Sequence, residues 1–221
     1  MTRIDHNSFG TLAVVFIIAA IVMVLSYHFI SAAWLKWAVI VFAWVFCIWQ
    51  VFFFRVPERE AAGSGHLVAS AADGKVVIVD ECVEEEYLKV LCKRVCVYMD
   101  FFDVHANFWP VNGEVEYTKY HPGKHLLAFL PKSSTDNEHH SVCLRTPDGD
   151  KVFFKQIAGT FARRIVNYAT DGLRVESGKQ CGIIKFGSRV DYYLPLDTKI
   201  NVKVGDKVRA CESIIAELPH R

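Results

Sequence analysis

The sequence predicts a mainly β, α+β fold in which an N-terminal transmembrane helical hairpin precedes a β-rich, barrel-sandwich-like domain with at least one amphipathic helix. Two long apolar runs lie within the first 54 residues, and short apolar runs separated by turn residues fill most of the remainder. With 221 residues, 52% of them hydrophobic, the chain is long enough for a membrane hairpin and one domain of ordinary size.

The two apolar runs predict the hairpin. Residues 9–30 contain no Lys, Arg, Asp or Glu, and residues 32–54 contain only Lys36. As helices rising about 1.5 Å per residue, both are long enough to cross a hydrocarbon core of about 30 Å. Pro57 cannot continue the second helix. We therefore expect residues 1–59 to form a membrane hairpin with spans at about 9–30 and 32–54.

The basic residues around the hairpin predict its orientation. Arg3 precedes it and Arg55 and Arg59 follow it, against Lys36 alone in the turn. Positive-inside counting then puts both ends in the cytoplasm, with the hairpin in the cell (inner) membrane and the following domain on its cytoplasmic face. Two alternatives stay open: a cleaved signal peptide that ends near the small residues 31–33, and a hairpin that enters one leaflet only.

After a short linker at residues 60–65, we expect one domain over residues 66–221. Apolar runs bounded by turn residues predict strands at Lys75–Val79, Val90–Tyr98, Gly113–Lys119, His125–Leu130, Ser141–Thr146, Val152–Lys155, Gly182–Phe186, Val190–Leu194 and Lys199–Lys203.

Residues 156–169 predict the amphipathic helix, because their apolar residues recur at spacings of three and four. The run 202–218 alternates apolar and polar residues around a Gly-Asp turn and resembles the closing hairpin of lipoyl or biotinyl carrier domains. It lacks the modified-lysine tip of those carriers, so carrier chemistry is doubtful.

Charge and cysteine content exclude several classes of protein. The net charge is +1 and no basic stripe alternates with aromatic residues, so nucleic acid is not an expected partner. The seven cysteines form no CxxC pair, and an odd number fits a reducing compartment.

The histidines do not predict a metal site. His139 and His140 are neighbours in a strand and point to opposite faces, so they cannot easily share one ion. A Pro-Gly pair separates His121 from His125 and breaks any helical ligand pair. We therefore expect no metal.

The chemistry of the Gly187-Ser188 peptide suggests self-cleavage. A Ser hydroxyl can attack the preceding carbonyl and convert the amide into an ester, and Gly187 leaves that carbonyl accessible. Loss of the Ser188 α-proton followed by β-elimination would release a chain that ends at residue 187 and convert residue 188 into a pyruvoyl group. A Gly-Ser pair alone is common in turns. Only the neighbouring segments can therefore indicate whether this pair is a cleavage site.

The most specific segments around this pair are QIAGTFARRIV (156–166), GKQCGIIKFGSRVDYYLP (178–195) and VKVGDKV (202–208). Together they resemble the phosphatidylserine decarboxylase proenzyme family, in its short membrane-anchored bacterial and archaeal form. Further matching segments follow in the order and approximate spacing of the family: FFRVPER (53–59), AADGKV (71–76), DVHANFWPVNGEV (103–115), YHPGKHLLAFLPKSS (120–134) and NEHHSV (137–142).

The resemblance implies the site residues. Ser188 matches the residue that becomes the pyruvoyl group, which gives a large chain 1–187 and a small chain 188–221. His105 and Asp73 resemble the family's histidine and acidic partner in a Ser-His-Asp arrangement for maturation. Long-form members carry a second histidine where this chain has Phe108. His105 is therefore a candidate for both cleavage and decarboxylation.

The resemblance also implies a pyruvoyl-dependent carboxy-lyase. Its pyruvoyl cofactor forms a Schiff base with phosphatidylserine of the bilayer and releases CO2 and phosphatidylethanolamine. Arg163, Arg164 and Arg189 are candidates for contacting the substrate phosphate. The large and small chains stay partners, and a homo-oligomer is also compatible with the sequence.

Other functions remain open on the residues alone. The chain could be a non-cleaving, membrane-anchored lipid-binding domain or a lipoyl-like carrier. The closest enzymatic alternative is a pyruvoyl enzyme for a soluble amino acid, which the hairpin disfavours.

Overall fold

The computed structural model describes residues 2–62, 65–127, 133–160, 164–185 and 188–219. The chain divides into two compact units, Met1–Pro57 and Glu58–Arg221.

The first unit is a helical hairpin. Its elements are β1 (Arg3–Ile4), a 3-10 helix (His6–Ser8), α1 (Phe9–Phe29), α2 (Ala33–Phe53) and β2 (Arg55–Val56). β1 pairs antiparallel with β2, and the amide of Asp5 donates to the carbonyl of Phe54 at 3.2 Å. The start of α1 and the end of α2 are thus joined, and the predicted helical hairpin is confirmed.

The surface of this unit is apolar. Ala19, Ala43 and Cys47 pack between the two helices with Met23 against them, whereas many of the aliphatic and aromatic side chains are exposed. Both helices are long and apolar enough to cross a bilayer. Such a surface is consistent with membrane association.

The second unit contains mostly strands and one short helix. In chain order these are β3 (Leu67–Ala69), β4 (Gly74–Glu84), β5 (Val90–Met99), β6 (Ala106–Phe108), β7 (Gly113–His121), α3 (Ser133–Asp136), β8 (His139–Arg145), β9 (Lys151–Ala158), β10 (Arg164–Asn167), β11 (Arg174–Val175), β12 (Gln180–Lys185), β13 (Ser188–Leu194), β14 (Lys199–Ile200), β15 (Lys207–Val208) and β16 (Ile214–Glu217).

These strands form one large sheet and two small ones. The eight-stranded sheet has the order β11-β7-β8-β9-β13-β5-β4-β15, and the two three-stranded sheets have the orders β10-β12-β6 and β14-β16-β3. Alternate residues of the large sheet, among them Val190, Tyr192 and Leu194 of β13, enter a core shared with residues of the small sheets. The predicted mainly β architecture is confirmed.

The predicted amphipathic helix at residues 156–169 is wrong. Residues 151–158 form β9 and residues 164–167 form β10, while residues 161–163 lie outside the described residues. β9 is buried on both faces from residue 152 to residue 158. A strand without a solvent-facing side has no clear alternation of apolar and polar residues, so its apolar positions matched a helical period by coincidence.

Most other predicted strands occur with slightly different ends. Of the predicted strand at residues 125–130, residues 125–127 are not in a strand and residues 128–130 lie outside the described residues. The C-terminal run is not one hairpin, because β15 pairs with β4 whereas β16 pairs with β14 and β3.

Candidate active site

Ser188 opens β13, a strand in the middle of the large sheet. It lies opposite Met99 of β5 on one side and Ala158 of β9 on the other. Its side chain is fully buried, and its Oγ has no hydrogen-bond partner among the described residues. A buried hydroxyl without a hydrogen-bond partner costs folding free energy. Ser188 at this position therefore indicates a functional role rather than a stabilising one.

The strand before β13 in the chain belongs to a different sheet. β12 belongs to a three-stranded sheet and ends at Lys185, and β13 in the large sheet begins at Ser188. The two connecting residues, Phe186 and Gly187, lie outside the described residues, so the predicted cleavage residue Gly187 does too.

His105 is brought to the same region by strand pairing. It directly precedes β6, and its carbonyl accepts the amide of Ile184 on β12 at 3.2 Å. The side chain is fully buried, and Nδ1 lies 3.0 Å from the carbonyl oxygen of Asp103. Since a carbonyl only accepts, Nδ1 carries the hydrogen and the lone pair of the neutral ring is on Nε2.

Asp73 directly precedes β4, at the same end of the large sheet as Ser188. β5 lies between β4 and β13, so two strand spacings, about 10 Å, separate the two backbones. Gly74 makes the entry to β4 possible: its φ is 150°, and a Cβ there would lie 2.1 Å from the carbonyl oxygen of Tyr98.

Arg59 and the C-terminal region hold the Asp73 carboxylate. Arg59 donates to both carboxylate oxygens, at 2.8 Å for Oδ2, and the amide of Ala210 donates to Oδ1 at 2.8 Å. Arg59 also donates to the carbonyl of Ala210 at 3.0 Å. The hydrogen bond that Arg59 donates to Asp73 raises the pKa of the Arg59 guanidinium, although burial opposes this. The Nδ1 position of His105, where a Ser-His-Asp arrangement has its carboxylate, faces a backbone carbonyl instead.

Asp73 acts on the His105 region through charge. Burial raises the pKa of Asp103, and the nearby charges of Asp100 and Asp73 raise it further. Asp73 is therefore close to the turn whose carbonyl fixes the His105 tautomer.

A chain of buried amides lies beside the site. Asn107 Nδ2 is 3.6 Å from the sulfur of Met99, and its Oδ1 accepts from Gln156 at 2.7 Å. Gln156 in turn accepts from Asn167 at 2.7 Å. These bonds tie β6, β9 and β10 to the strand residue that faces Ser188, which fixes the local geometry.

The three predicted phosphate-contacting arginines differ in their surroundings. Arg163 lies outside the described residues, and Arg164 is exposed on β10. Arg189 is fully buried, with Nε 2.7 Å from Asp191 Oδ1, and it also donates to Ser134. A substrate phosphate at Arg189 would have to displace a buried carboxylate.

Sequence reasoning missed Arg59 and Asp103 as parts of the site. The sequence indicates Arg59 only as a charge that follows the second membrane span, although it lies in the FFRVPER segment. Asp103 contributes a backbone carbonyl, for which side-chain type offers no signal.

Comparison with known proteins adds to this geometry. The family model for phosphatidylserine decarboxylase matches residues 46–216. The phosphatidylserine decarboxylase proenzyme of Amoebophilus asiaticus is 46% identical over 171 residues, which cover 77% of this chain and 76% of that protein. The proenzyme of Parabacteroides distasonis is 39% identical over 217 residues, 98% of this chain and 99% of that protein. The proenzyme of Nitrosomonas europaea is 42% identical over 202 residues, 91% of each chain.

We predict that Asp191→Asn lowers the free energy of unfolding by about 3–5 kcal/mol, because it leaves the guanidinium of Arg189 buried without its counter-ion. Urea denaturation of detergent-solubilised protein measures the change. Glu114→Gln is the matched control, since its partner Arg174 is exposed, and should change stability by less than about 0.5 kcal/mol. Equal midpoints for the Asp191→Asn variant and the unmodified protein would contradict the prediction.

Proposed function

We propose a function for this chain on the ground that it belongs to the phosphatidylserine decarboxylase family. The chain is a proenzyme that cleaves itself between Gly187 and Ser188 and then converts phosphatidylserine to phosphatidylethanolamine and CO2. The observation that carries this proposal is the buried Oγ of Ser188 at the start of β13, which has no hydrogen-bond partner within the part of the chain that the structure describes.

Self-cleavage begins at Ser188. Its Oγ attacks the carbonyl carbon of Gly187 and the hydroxyl proton passes to a base. The base returns this proton to the Ser188 nitrogen as the amide C–N bond breaks and the ester forms. A base then removes the Ser188 α-proton, and the C–Oγ bond breaks so that residue 187 leaves as a carboxylate. The dehydroalanine left at residue 188 takes up water and loses ammonia, which produces a ketone at the new N-terminus.

His105 is the proposed base. Its Nδ1–H donates to the Asp103 carbonyl, so the neutral ring has its lone pair on Nε2. This is the tautomer that a base needs in order to accept a hydroxyl proton. The same nitrogen, once protonated, can return a proton to the substrate carbon after CO2 has left.

Asp73 supports His105 through its charge. The negative charge of Asp73, near the 100–105 turn, complements the positive charge that the His105 ring takes up when it accepts the Ser188 proton. Arg59 and the amide of Ala210 keep that carboxylate in place. A role of this kind does not require the carboxylate to bind the ring directly.

The residues present fit a pyruvoyl group at position 188, since the Ser188 side chain has no competing hydrogen bond among the described residues. Such a group supplies an electrophilic carbonyl that holds the substrate amine and accepts the electrons released with CO2. The protein's part is to exclude water around Ser188 and to supply the proton from His105.

The helical hairpin places this chemistry at its substrate. We propose that α1 and α2 anchor the enzyme in the cell (inner) membrane with the second unit on the cytoplasmic face. A diacyl lipid stays in the bilayer, so anchoring raises the effective concentration of the site relative to the substrate. Arg164, which is exposed, is the described candidate for the lipid phosphate.

We predict that Ser188→Ala abolishes both cleavage and activity, because the nucleophile is lost. Intact mass spectrometry should find one 221-residue chain in the variant and fragments of 187 and 34 residues in the unmodified protein. Ser177→Ala, at a turn serine whose hydroxyl donates to the carbonyl of Pro110, should cleave normally. Active unmodified protein found as an unbroken chain would refute self-cleavage.

We predict that His105→Asn slows cleavage at least about 100-fold, because Asn can donate to the Asp103 carbonyl but has no group at the Nε2 position. The rate of fragment appearance on denaturing gels measures the effect, and phosphatidylethanolamine formation by any cleaved fraction measures the second step. His66→Ala serves as the control. Cleavage and turnover at unmodified rates would remove His105 from the site.

We predict that the two chains remain associated without a disulfide. β13 is hydrogen-bonded to β5 and β9 along its length, and the seven cysteines are free thiols. Both chains should therefore co-elute in size-exclusion chromatography with or without dithiothreitol. Cys211→Ser removes the small chain's only cysteine and should leave co-elution unchanged. Release of the small chain by reductant would contradict this prediction.

A further inference from the structure

A second polar cluster lies on the outer face of the large sheet, opposite to the core face that Ser188 shares with Val190 and Tyr192. It consists of Glu86, His121 and His139, which we call the outer cluster. His121 of β7 and His139 of β8 are directly opposite in the strand register. Their rings stack with centroids 4.5 Å apart and an interplanar angle of 13°.

Glu86 reaches this histidine pair from the turn between β4 and β5. Glu84 fixes the turn, since its carboxylate accepts the backbone amides of residues 86, 87 and 88 at 2.7–2.9 Å. Glu86 Oε1 lies 2.7 Å from Nε2 of His121, and Oε2 accepts from Ser141 at 2.8 Å. The turn fixed by Glu84 and the hydrogen bond from Ser141 thus hold the Glu86 carboxylate beside the two histidines.

The ligand atoms of the outer cluster converge. Each of the three side chains offers one such atom, and these atoms lie within 4.8 Å of one another. Nδ1 of His139 is 2.7 Å from the carbonyl of Asn137 and must donate to it. The lone pair of the neutral ring is then on Nε2, which lies 3.9 Å from Oε2 of Glu86. This lone pair of His139 is available to bind a cation beside the Glu86 carboxylate.

We propose that Glu86, His121 and His139 form a binding site for a divalent transition-metal ion of the zinc type, with water as a further ligand. Two imidazoles and one carboxylate are a donor set that suits Zn²⁺, Co²⁺ and Ni²⁺ better than Mg²⁺ or Ca²⁺. The bond from His139 Nδ1 to a backbone carbonyl is the outer contact that orients metal-binding histidines in general.

The surroundings of the outer cluster allow an ion to enter. The three side chains are 9–24% exposed and line an open cleft of about 440 Å³. Three glutamates and two basic residues line that cleft, so its charge is net negative with neutral histidines. Lys155 lies 2.8 Å from Oε2 of Glu86. Oε1 accepts from Nε2–H of His121 at 2.7 Å and from the Tyr117 hydroxyl at 3.1 Å. Binding of an ion through Oε1 replaces the bond from His121, whose ring proton moves to Nδ1 so that Nε2 can bind the ion. The Lys155 contact and the Ser141 bond stay in place.

A bound ion would link three separate segments: β7, β8 and the turn after β4. An ion that binds only the folded protein raises its melting temperature. The site is distinct from Ser188 and does not depend on the proposed decarboxylase activity.

Equilibrium dialysis of metal-stripped, detergent-solubilised protein against Zn²⁺ tests the site. We expect one ion per chain in the unmodified protein and a loss of affinity of at least about 100-fold in His139→Ala. Zn²⁺ at 100 times its Kd should raise the melting temperature by about 5–10 °C in the unmodified protein only. A 100-fold excess of Mg²⁺ should not displace the ion.

His140→Ala is the matched control, because His140 is the next residue and its side chain binds Thr118 at 2.8 Å rather than the outer cluster. Circular dichroism verifies that each variant is folded, and Glu86→Gln replaces His139→Ala if the latter is not. Undiminished Zn²⁺ uptake by the folded cluster variant, or an equal loss of uptake in His140→Ala, would overturn the proposal.

Discussion

The hydrogen bonds that β13 makes along both of its edges fix the position of Ser188. β13 pairs with β5 from Ser188 to Leu194 and with β9 from Ser188 to Tyr193. A shift by one residue would turn Val190 and Tyr192 out of the core and bring Arg189 and Asp191 into it, so only one register is stable. The hydroxyl is therefore held at one point, and the preceding strand β12 belongs to another sheet. Cutting the Gly187-Ser188 peptide leaves every pairing of the strand β13 intact.

The same strand also positions the segment that carries Asp73. The hydroxyl of Tyr192 accepts the amide of Ala71 at 2.6 Å, and the amide of Cys211 donates to the carbonyl of Ser70 at 2.9 Å. The proposed small chain thus supplies Tyr192 and the 210–211 backbone, and the proposed large chain supplies Asp73 and Arg59. A site assembled from both pieces remains complete only while they stay associated, and a strand paired on both edges provides that association.

Local pattern was sufficient for the hairpin and for most strands of the second unit. Long apolar runs and turn residues are both properties of neighbouring residues. The helix predicted at residues 156–169 failed because β9 is buried on both faces and its residues no longer alternate. Gln156 is the informative residue: it is polar yet fully buried, and its partners Asn107 and Asn167 lie 49 and 11 residues away. Single-sequence periodicity cannot distinguish such a strand from a helix.

Local sequence pattern could not predict contacts between distant strands for a further reason. The register of β7 against β8 shifts between Val115 and Tyr117, and a one-residue shift exchanges the two faces of a strand. That bulge sets which residues of β7 face outward, and it therefore decides that His121 meets His139 rather than lying on the opposite face. The environment of His105 depends similarly on the carbonyl of Asp103, which every residue type possesses. Side-chain identity thus indicated which groups were available for chemistry, whereas backbone register and backbone carbonyls determined which of them act together.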